Sequence, residues 1–171
     1  MIKSPSNWLL YCLSIINYEK NFLVLDLACG RGRHSVFLSN LGFYVVSVDI
    51  SKIYLDSFNG SNIEKICRDV ENIKNWPLYN KLFDIVLVTN FLNREIFPFI
   101  INSLCLGGYF IYETFSQGNQ KFGKPKNKDF ILRTGELLDI TENLSLICYE
   151  RLKVESYYSG SVKQRILAKN V

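Results

Sequence analysis

Three aspartates are the residues of this sequence best placed to bind a ligand. Asp26, Asp49 and Asp69 each follow a short apolar run, and they are spaced by 23 and 20 residues. If these runs are parallel strands, the three carboxylates meet at one edge of a sheet, where α/β proteins bind ligands. Carboxylates accept hydrogen bonds and attract cations, which suits them to ribose hydroxyls and amino groups. The pattern indicates a site for a nucleoside that carries a positive charge.

A glycine turn follows the first acid. Gly30 and Gly32 come after Asp26 in the pattern D-x-A-x-G-x-G, and glycine lets the backbone approach a ligand closely. A dinucleotide fingerprint G-x-G-x-x-G would need a third glycine where Ser35 stands, and Asp26 would repel a pyrophosphate. The two glycines alone would also fit an ordinary structural turn. Together with the flanking strands, the helix and Asp49 in register, they indicate a nucleoside-bearing ligand, with an anionic group favoured at the start of the next helix.

The elements that must position these residues follow from the hydrophobic pattern. Residues 22–25 and 44–48 are predicted strands on either side of a helix that ends at Gly42, which makes one βαβ unit. Ser51 is the predicted N-cap of the next helix, and Thr134 is the predicted N-cap of a later one. The last two strands form a hairpin, which makes the sheet mixed. Further helices are predicted at residues 8–16, 52–58 and 96–106, and further strands at residues 63–67, 82–89, 109–115, 144–149 and 163–169, with a turn at residues 157–160.

Composition excludes several classes of protein. The chain has 171 residues, of which 48% are hydrophobic and 21% charged, values typical of a single folded domain spanning residues 1–171. No apolar run is long enough to span a bilayer, and the net charge of +4 gives little support to nucleic-acid binding. His34 is the only histidine, which excludes a multi-histidine metal site and disfavours a Ser-His-Asp hydrolase. The five cysteines form no CxxC pair, so we expect reduced thiols, a cytoplasmic location and no metal site.

Segments well beyond the glycine turn resemble a known family. The similarity is to class I methyltransferases that use S-adenosylmethionine, and it lies in LDLACGRGRHS, in RDVEN with Trp76-Pro77 after it, in TNFLNR and in GGYFIYETFSQGNQKFGKPKNKDFILRTGELL. Within that class, the chain resembles a small bacterial subgroup related to the tellurite-resistance methyltransferases. The resemblance implies a Rossmann-like three-layer sandwich with a seven-stranded, mostly parallel sheet in the order 3-2-1-4-5-7-6. A C-terminal hairpin would supply the antiparallel strand.

The resemblance also implies roles for individual residues. The glycine turn would hold the methionine end of the cofactor, Asp49 the ribose, and the residues after the third strand the adenine. The residues implied to bind the cofactor are Asp26, Ala28, Cys29, Gly30, Gly32, Arg33, His34, Asp49, Ile50, Asp69, Val70, Asn90 and Phe91. Candidates for contact with the acceptor are Trp8, Tyr11, Arg94 and Glu113, with the lysine-rich residues 116–128 as a lid. Relatives often carry a histidine where this chain has Asn93, and a glycine where it has Ala28.

The implied reaction is direct displacement at a methyl carbon, which depends on proximity and alignment more than on a base. Because the sequence offers no obvious base, we expect a small, soft acceptor such as a thiol or a chalcogen oxyanion. The lack of prolines after Asn90 disfavours methylation of DNA bases. Two alternatives stay open: a sensor or subunit that binds the cofactor without catalysis, and a NAD-binding oxidoreductase, against which the missing third glycine argues. RNA methylation has little support from the modest charge, and the oligomeric state is left open.

Overall fold

Seven strands form one sheet at the centre of the molecule, with helices packed on both faces. The computed structural model describes residues 3–155 and 160–171. The strand order is β3-β2-β1-β4-β5-β7-β6, as predicted, and only β7 runs antiparallel to its described neighbours, β5 and β6. The strands are β1 (Leu23–Leu27), β2 (Tyr44–Asp49), β3 (Ile63–Cys67), β4 (Phe83–Thr89), β5 (Leu104–Phe115), β6 (Ser145–Glu155) and β7 (Gly160–Lys169). The helices are α1 (Asn7–Ile15), α2 (Arg33–Asn40), α3 (Lys52–Asp56), α4 (Phe97–Asn102) and α5 (Glu136–Ile140).

The central strands are buried on both faces, which explains their nearly continuous apolar sequence. In β4, the side chains of Ile85 and Leu87 join the apolar cluster beneath α1 and α2. Those of Val86 and Val88 join the cluster on the opposite face, beneath α4 and α5. Since β1, β2 and β4 are parallel and in register, with Leu27 paired to Val48 and to Val88, their carboxyl ends share one edge.

Serine side chains cap the first turns of α1 and α3, and the cap predicted at Ser51 is confirmed. Ser6 precedes α1, and its hydroxyl oxygen accepts a hydrogen bond from Leu9 N at 3.1 Å. Ser51 precedes α3, and its hydroxyl oxygen accepts from Tyr54 N at 3.4 Å. A serine at this position satisfies one of the free N–H groups of the first helical turn.

The helix predicted over residues 96–106 is wrong in its second half. α4 ends at Asn102, and the chain continues directly into β5, which begins at Leu104. Leu104 pairs with Phe83 of β4, and the register shifts just beyond this pair. The apolar run in this segment fits a helix or a strand equally well by periodicity. Pairing with β4 decides between them, so Gly107 and Gly108 lie inside β5.

The predicted helix start at Thr134 is also wrong. The N-cap of α5 is Gly135, and the Thr134 hydroxyl donates to Gln117 Oε1 at 3.5 Å instead. Both strands of the C-terminal hairpin are longer than predicted, because their pairing extends to Glu155 and Gly160. The predicted turn at residues 157–160 falls largely outside the described residues. In the part of the chain that the structure describes, no helix is long and apolar enough to cross a membrane.

Candidate cofactor and acceptor site

The carboxyl ends of β1 and β2 bring the glycine turn into contact with Asp49. Gly30 N donates a hydrogen bond to Asp49 Oδ2 at 2.8 Å, and Ser51 N donates to Asp49 Oδ1 at 2.8 Å. Cys29 N donates to the Val48 carbonyl oxygen at 3.0 Å, so the turn extends the pairing of the two strands. Each carboxylate oxygen keeps a free lone pair, and the half-buried Asp49 can accept further hydrogen bonds from a ligand.

Two residues other than glycine adopt a left-handed backbone conformation at this edge. Ala28 follows β1 with a φ of 53°, and Asn90 follows β4 with a φ of 55°. Such conformations cost roughly 1–3 kcal/mol each and cluster where backbone groups are held ready for a ligand. Asn90 N donates to the Glu113 carbonyl oxygen at 2.8 Å, which helps to hold this conformation.

The two glycines of the turn serve different purposes. Gly32 has a φ of 69°, and a Cβ there would lie 2.4 Å from the ring of Phe58, so this glycine is required by packing. Gly30 has a φ of 58°, and the position that its Cβ would take has nothing within 4 Å. The backbone at Gly30 therefore faces open space, as a surface that a ligand approaches would require.

Asp26 lies beneath the turn, with 1% of its surface exposed. Its Oδ2 accepts a hydrogen bond from Ser35 Oγ at 2.6 Å, which ties β1 to α2. Burial raises the pKa of Asp26 to about 7, although the bond from Ser35 acts in the opposite direction. A positively charged ligand above the turn would stabilise the ionised carboxylate. In this structure Asp26 supports the turn from below, and its contact with a cofactor stays a prediction.

His34 is buried and joins α2 to the start of α1. Its Nε2 accepts a hydrogen bond from Ser6 N at 3.2 Å, and its Nδ1 lies 3.5 Å from Thr89 Oγ1. Burial, together with the nearby charges of Arg33 and Lys163, lowers the pKa of His34 to about 3. The imidazole is therefore neutral at physiological pH, and its Nε2 lone pair is already used by a backbone donor.

The residues predicted to contact adenine lie at the ends of β2 and β3. Ile50 has 67% of its surface exposed and follows Asp49 directly, so it offers an apolar face beside the acid. Val70 is buried, whereas Asp69 is exposed and accepts a hydrogen bond from Glu71 N at 2.9 Å. Cys67 pairs with Asp49, which brings the end of β3 alongside the end of β2.

A cavity of about 520 Å³ opens above the glycine turn; we call it the first cavity. It combines backbone of the turn with positive charge, which suits a ligand that carries a carboxylate. Sequence reasoning predicted Ala28, Cys29, Gly30, Arg33, His34 and Asn90 at this position and missed Lys3, Arg31, Ser57 and Thr89. The signal that could have found Thr89 is its place at the carboxyl end of a buried parallel strand.

A second cavity of about 570 Å³ adjoins the first at Asn90, which lines both. We call it the second cavity. Its surface is largely apolar, and part of its wall comes from the segment predicted to act as a lid. Its lining residues are Asn90, Phe91, Leu92, Thr114, Phe115, Lys124, Pro125, Lys126, Asn127 and Phe130. Tyr112 Oη donates to the Phe91 carbonyl oxygen at 2.6 Å and holds the chain between the two cavities in place.

The predicted acceptor contact at Glu113 is occupied by ion pairs instead. Glu113 has 2% of its surface exposed, and its two carboxylate oxygens lie 3.2 Å from Lys163 Nζ and 2.9 Å from Arg165 Nε. Lys163 Nζ also donates to Asn90 Oδ1 at 2.8 Å. Sequence reasoning missed Lys163, because only the register of the C-terminal hairpin brings β7 to this edge.

The predicted acceptor contact at Arg94 is likewise occupied by protein groups. Its Nε and one terminal nitrogen donate to both oxygens of Glu136 at 2.6 and 3.0 Å. The terminal nitrogens also donate to the carbonyl oxygens of Asp129 and Ile131, at 2.9 and 3.0 Å. Arg94 therefore fastens the segment around Phe130 to the loop after β4, which fixes one wall of the second cavity.

Trp8 and Tyr11 stack with ring centroids 5.4 Å apart, as their spacing on one helix face predicts. Trp8 has 1% of its surface exposed and belongs to the apolar cluster beneath α1, so it packs in the core instead of covering a ligand. Tyr11 is partly exposed, and its hydroxyl lies 4.0 Å from Cys148 Sγ. Among the described residues that line the two cavities, neither aromatic ring is present.

The five cysteines are free thiols in this structure. Burial raises the pKa of Cys29, so this thiol in the glycine turn is un-ionised at neutral pH. Within residues 3–155 and 160–171, no group of three or more His, Cys, Asp or Glu side chains is arranged to hold a metal ion.

Two solved structures illustrate which proteins share this fold. The crystal structure of TehB from Haemophilus influenzae aligns with a TM-score of 0.77 and 22% identity, over 96% of this chain and 62% of that chain. A structure described as a SAM-dependent methyltransferase from Methanosarcina mazei aligns with a TM-score of 0.71 and 14% identity, over 99% of both chains. At these identities the likeness establishes the fold alone, which is Rossmann-like.

The family is shown by sequence. Residues 12–162 match the family model described as tellurite resistance protein TehB, so this chain belongs to the TehB family. Two Haemophilus influenzae proteins, each described as a probable S-adenosyl-L-methionine-dependent methyltransferase TehB, are 35% identical to it over 96 residues. Those residues make up 50% of this chain and 33% of the relatives, so the match spans a third of their length.

Proposed function

We propose that this chain is a methyltransferase that uses S-adenosylmethionine to methylate a small acceptor. The observation that carries the proposal is the contact of Gly30 N with Asp49 Oδ2, which joins an open glycine turn to an acid at one sheet edge. Ile50 beside this acid offers an exposed apolar face for adenine. The family relatives named as probable S-adenosylmethionine-dependent methyltransferases support the same cofactor.

The residues fit each part of this cofactor. Positive side chains at Lys3, Arg31 and Arg33 line the first cavity and suit the carboxylate of the methionine part. The carboxylates of Asp49 and Asp69 can accept from the ribose hydroxyls and from the adenine amino group. The cofactor supplies a methyl carbon bonded to a positively charged sulfur. The protein's part is to hold the acceptor in line with that carbon and to keep water away.

The acceptor that this arrangement favours is a thiol or a chalcogen oxyanion, because both can react without a strong base. His34 is neutral, and its Nε2 lone pair is occupied by Ser6 N. Glu113 is held by two cations. The second cavity, which adjoins the first at Asn90, is the proposed place for the acceptor.

Methyl transfer from radiolabelled S-adenosylmethionine tests the proposal directly. The acceptors are a set of thiols, selenite and tellurite, and calorimetry with S-adenosylhomocysteine measures cofactor binding in parallel. We expect binding and transfer to at least one acceptor. Binding without any transfer would favour a sensor or subunit, and no binding would contradict the proposed function.

A further inference from the structure

The second cavity is larger and more apolar than a bare oxyanion requires. Its volume is about 570 Å³, which lies in the range of sites for whole organic ligands. The rings of Phe91, Phe115 and Phe130 line it, and Phe130 has 50% of its surface exposed. Aromatic rings offer no hydrogen bonds to replace the water around an oxyanion, but they bind another aromatic ring well. The lining thus favours an acceptor with an aromatic body.

The charged side chains among the described residues that line the second cavity are all positive. Lys124 and Lys126 line it on the lid segment, and both side chains are exposed. Among its described lining residues there is no aspartate or glutamate. Within the described part of the chain, neither lysine takes part in an ion pair. A carboxylate on the outer end of the acceptor would meet these ammonium groups.

The inner end of the cavity lacks a base that could take a proton. Its described lining contains no histidine, cysteine or tyrosine either, and the nearby Glu113 is paired with Lys163 and Arg165. An acceptor therefore has to arrive as an anion at neutral pH. A thiol bonded to an aromatic ring meets this condition more readily than an alkyl thiol, because the ring delocalises the charge, and the thiolate is the reactive form.

We infer that the acceptor is an arenethiolate that carries a second anionic group, bound in the second cavity with its ring among the phenylalanines. This inference rests on the proposed methyl transfer. The thiolate sulfur would lie towards Asn90, and the second anion towards Lys124 and Lys126. A lone pair of this sulfur forms the new sulfur–carbon bond while the methyl–sulfonium bond breaks and its electron pair returns to the departing sulfur. The proton of the thiol is lost to solvent before binding, so no protein group is protonated.

The test uses the full chain and compares 4-mercaptobenzoate with thiophenol, selenite and tellurite in radiolabelled methyl transfer. Calorimetry with 4-(methylthio)benzoate in the presence of S-adenosylhomocysteine gives a readout independent of activity. The first variant is Phe130→Ala, with Tyr44→Ala as its control, because Tyr44 is similarly exposed at 53% but lies at the amino end of β2. The second variant is Lys124→Gln with Lys126→Gln, and Lys121→Gln is its control from the same segment.

We expect 4-mercaptobenzoate to be the acceptor with the highest kcat/KM. Phe130→Ala should raise its KM and the Kd of 4-(methylthio)benzoate about fivefold, with an unchanged Kd for S-adenosylhomocysteine. The double lysine variant should reduce the preference for 4-mercaptobenzoate over thiophenol about threefold, and both controls should behave as the unaltered chain.

Two results would overturn the inference and leave the proposed function standing. One is a higher kcat/KM for selenite or tellurite that Phe130→Ala does not change. The other is binding of S-adenosylhomocysteine without binding of 4-(methylthio)benzoate. Failure of the proposed function itself has a different signature, since S-adenosylhomocysteine would then not bind at all.

Discussion

At the scale of single residues, Asp49 serves the fold and the site at once. Its two oxygens accept from Gly30 N and Ser51 N, so it fixes both the glycine turn and the start of α3. The same carboxylate is the group proposed to hold the ribose. Its removal should therefore disturb ligand binding through two routes, one direct and one through the turn.

We expect Asp49→Ala to weaken binding of S-adenosylhomocysteine by about 1–3 kcal/mol, because donors of the ligand and of the turn lose their acceptor. Isothermal titration calorimetry measures the change. Asp56→Ala in α3 removes an exposed acid and serves as the control. An affinity equal to that of the unaltered chain would show that Asp49 is not the ribose acid.

Asp26 offers a prediction on stability. Its pKa is about 7 in the folded chain and about 3.9 in an unfolded one. Both states are protonated below pH 4 or so, and ionisation increasingly disfavours the folded state as pH rises from about 4 through 7. Asp26→Asn should therefore raise the free energy of unfolding at pH 8 by about 4 kcal/mol, with little effect at pH 4.

Urea unfolding at the two pH values measures this change. Asp56→Asn should show no comparable difference, because Asp56 is exposed in α3. If Asp26→Asn destabilised the chain equally at both pH values, the loss would have to come from packing and not from the buried charge.

At the scale of elements, the Arg94–Glu136 pair links the loop after β4 to α5 and to the lid segment. Glu136 has 3% of its side chain exposed, so Arg94→Met would leave a buried carboxylate without its main partner. We expect a loss of about 3 kcal/mol in the free energy of unfolding at pH 7. Urea unfolding checks this, and adding Glu136→Gln to Arg94→Met should recover part of the loss.

The stability that Arg94→Met removes should depend on pH, because it requires Glu136 to be ionised. Burial acts to raise the pKa of Glu136, but the hydrogen bonds from Arg94 prevail and the pKa is lowered. The stabilisation that the ion pair with ionised Glu136 gives to the folded chain is therefore complete above the pKa of an unfolded glutamate, about 4.3. It is lost as pH falls through the lower pKa that Glu136 has in the folded chain. The difference between Arg94→Met and the unaltered chain should shrink below about pH 4. A difference that stays constant down to pH 3 or so would assign the effect to packing of the arginine stem.

The sequence allows most of the sheet to be predicted, because buried parallel strands leave a strong local signal. The strand predicted over residues 63–67 is confirmed with the same bounds as β3, and Asp49 follows from its position at a strand end. Errors occurred where a local pattern was ambiguous and a distant partner decided, as at Leu104, which pairs with Phe83.

The candidate site was predictable only as far as it is built from one βαβ unit. The contact between Gly30 and Asp49 follows from adjacent strands, but the ion pairs of Glu113 depend on β7, some 50 residues further along the chain. The left-handed conformation of Asn90 left no recognisable signal either. Arg94 was a candidate for acceptor contact because of its charge alone, and in the structure its guanidinium group binds Glu136 and two backbone carbonyl oxygens.

At the scale of the whole molecule, both cavities lie at one edge of a single sheet. The first lies above the carboxyl ends of β1 and β4, and the second adjoins it at Asn90 and extends to β5 and the lid segment. A ligand in the first cavity should stabilise the chain as a unit, because it contacts the turn on which several elements converge.

We therefore expect S-adenosylhomocysteine at 100 times its Kd to stabilise the chain by about 2.7 kcal/mol, which raises Tm by roughly 5–10 °C for a chain of this size. Differential scanning fluorimetry measures the shift, and NADH at the same concentration is the control. The rise should grow with the logarithm of ligand concentration, since ligand binds the folded chain only. An equal or larger shift with NADH would indicate a dinucleotide site, in conflict with the missing third glycine and with the acids at the ends of β2 and β3.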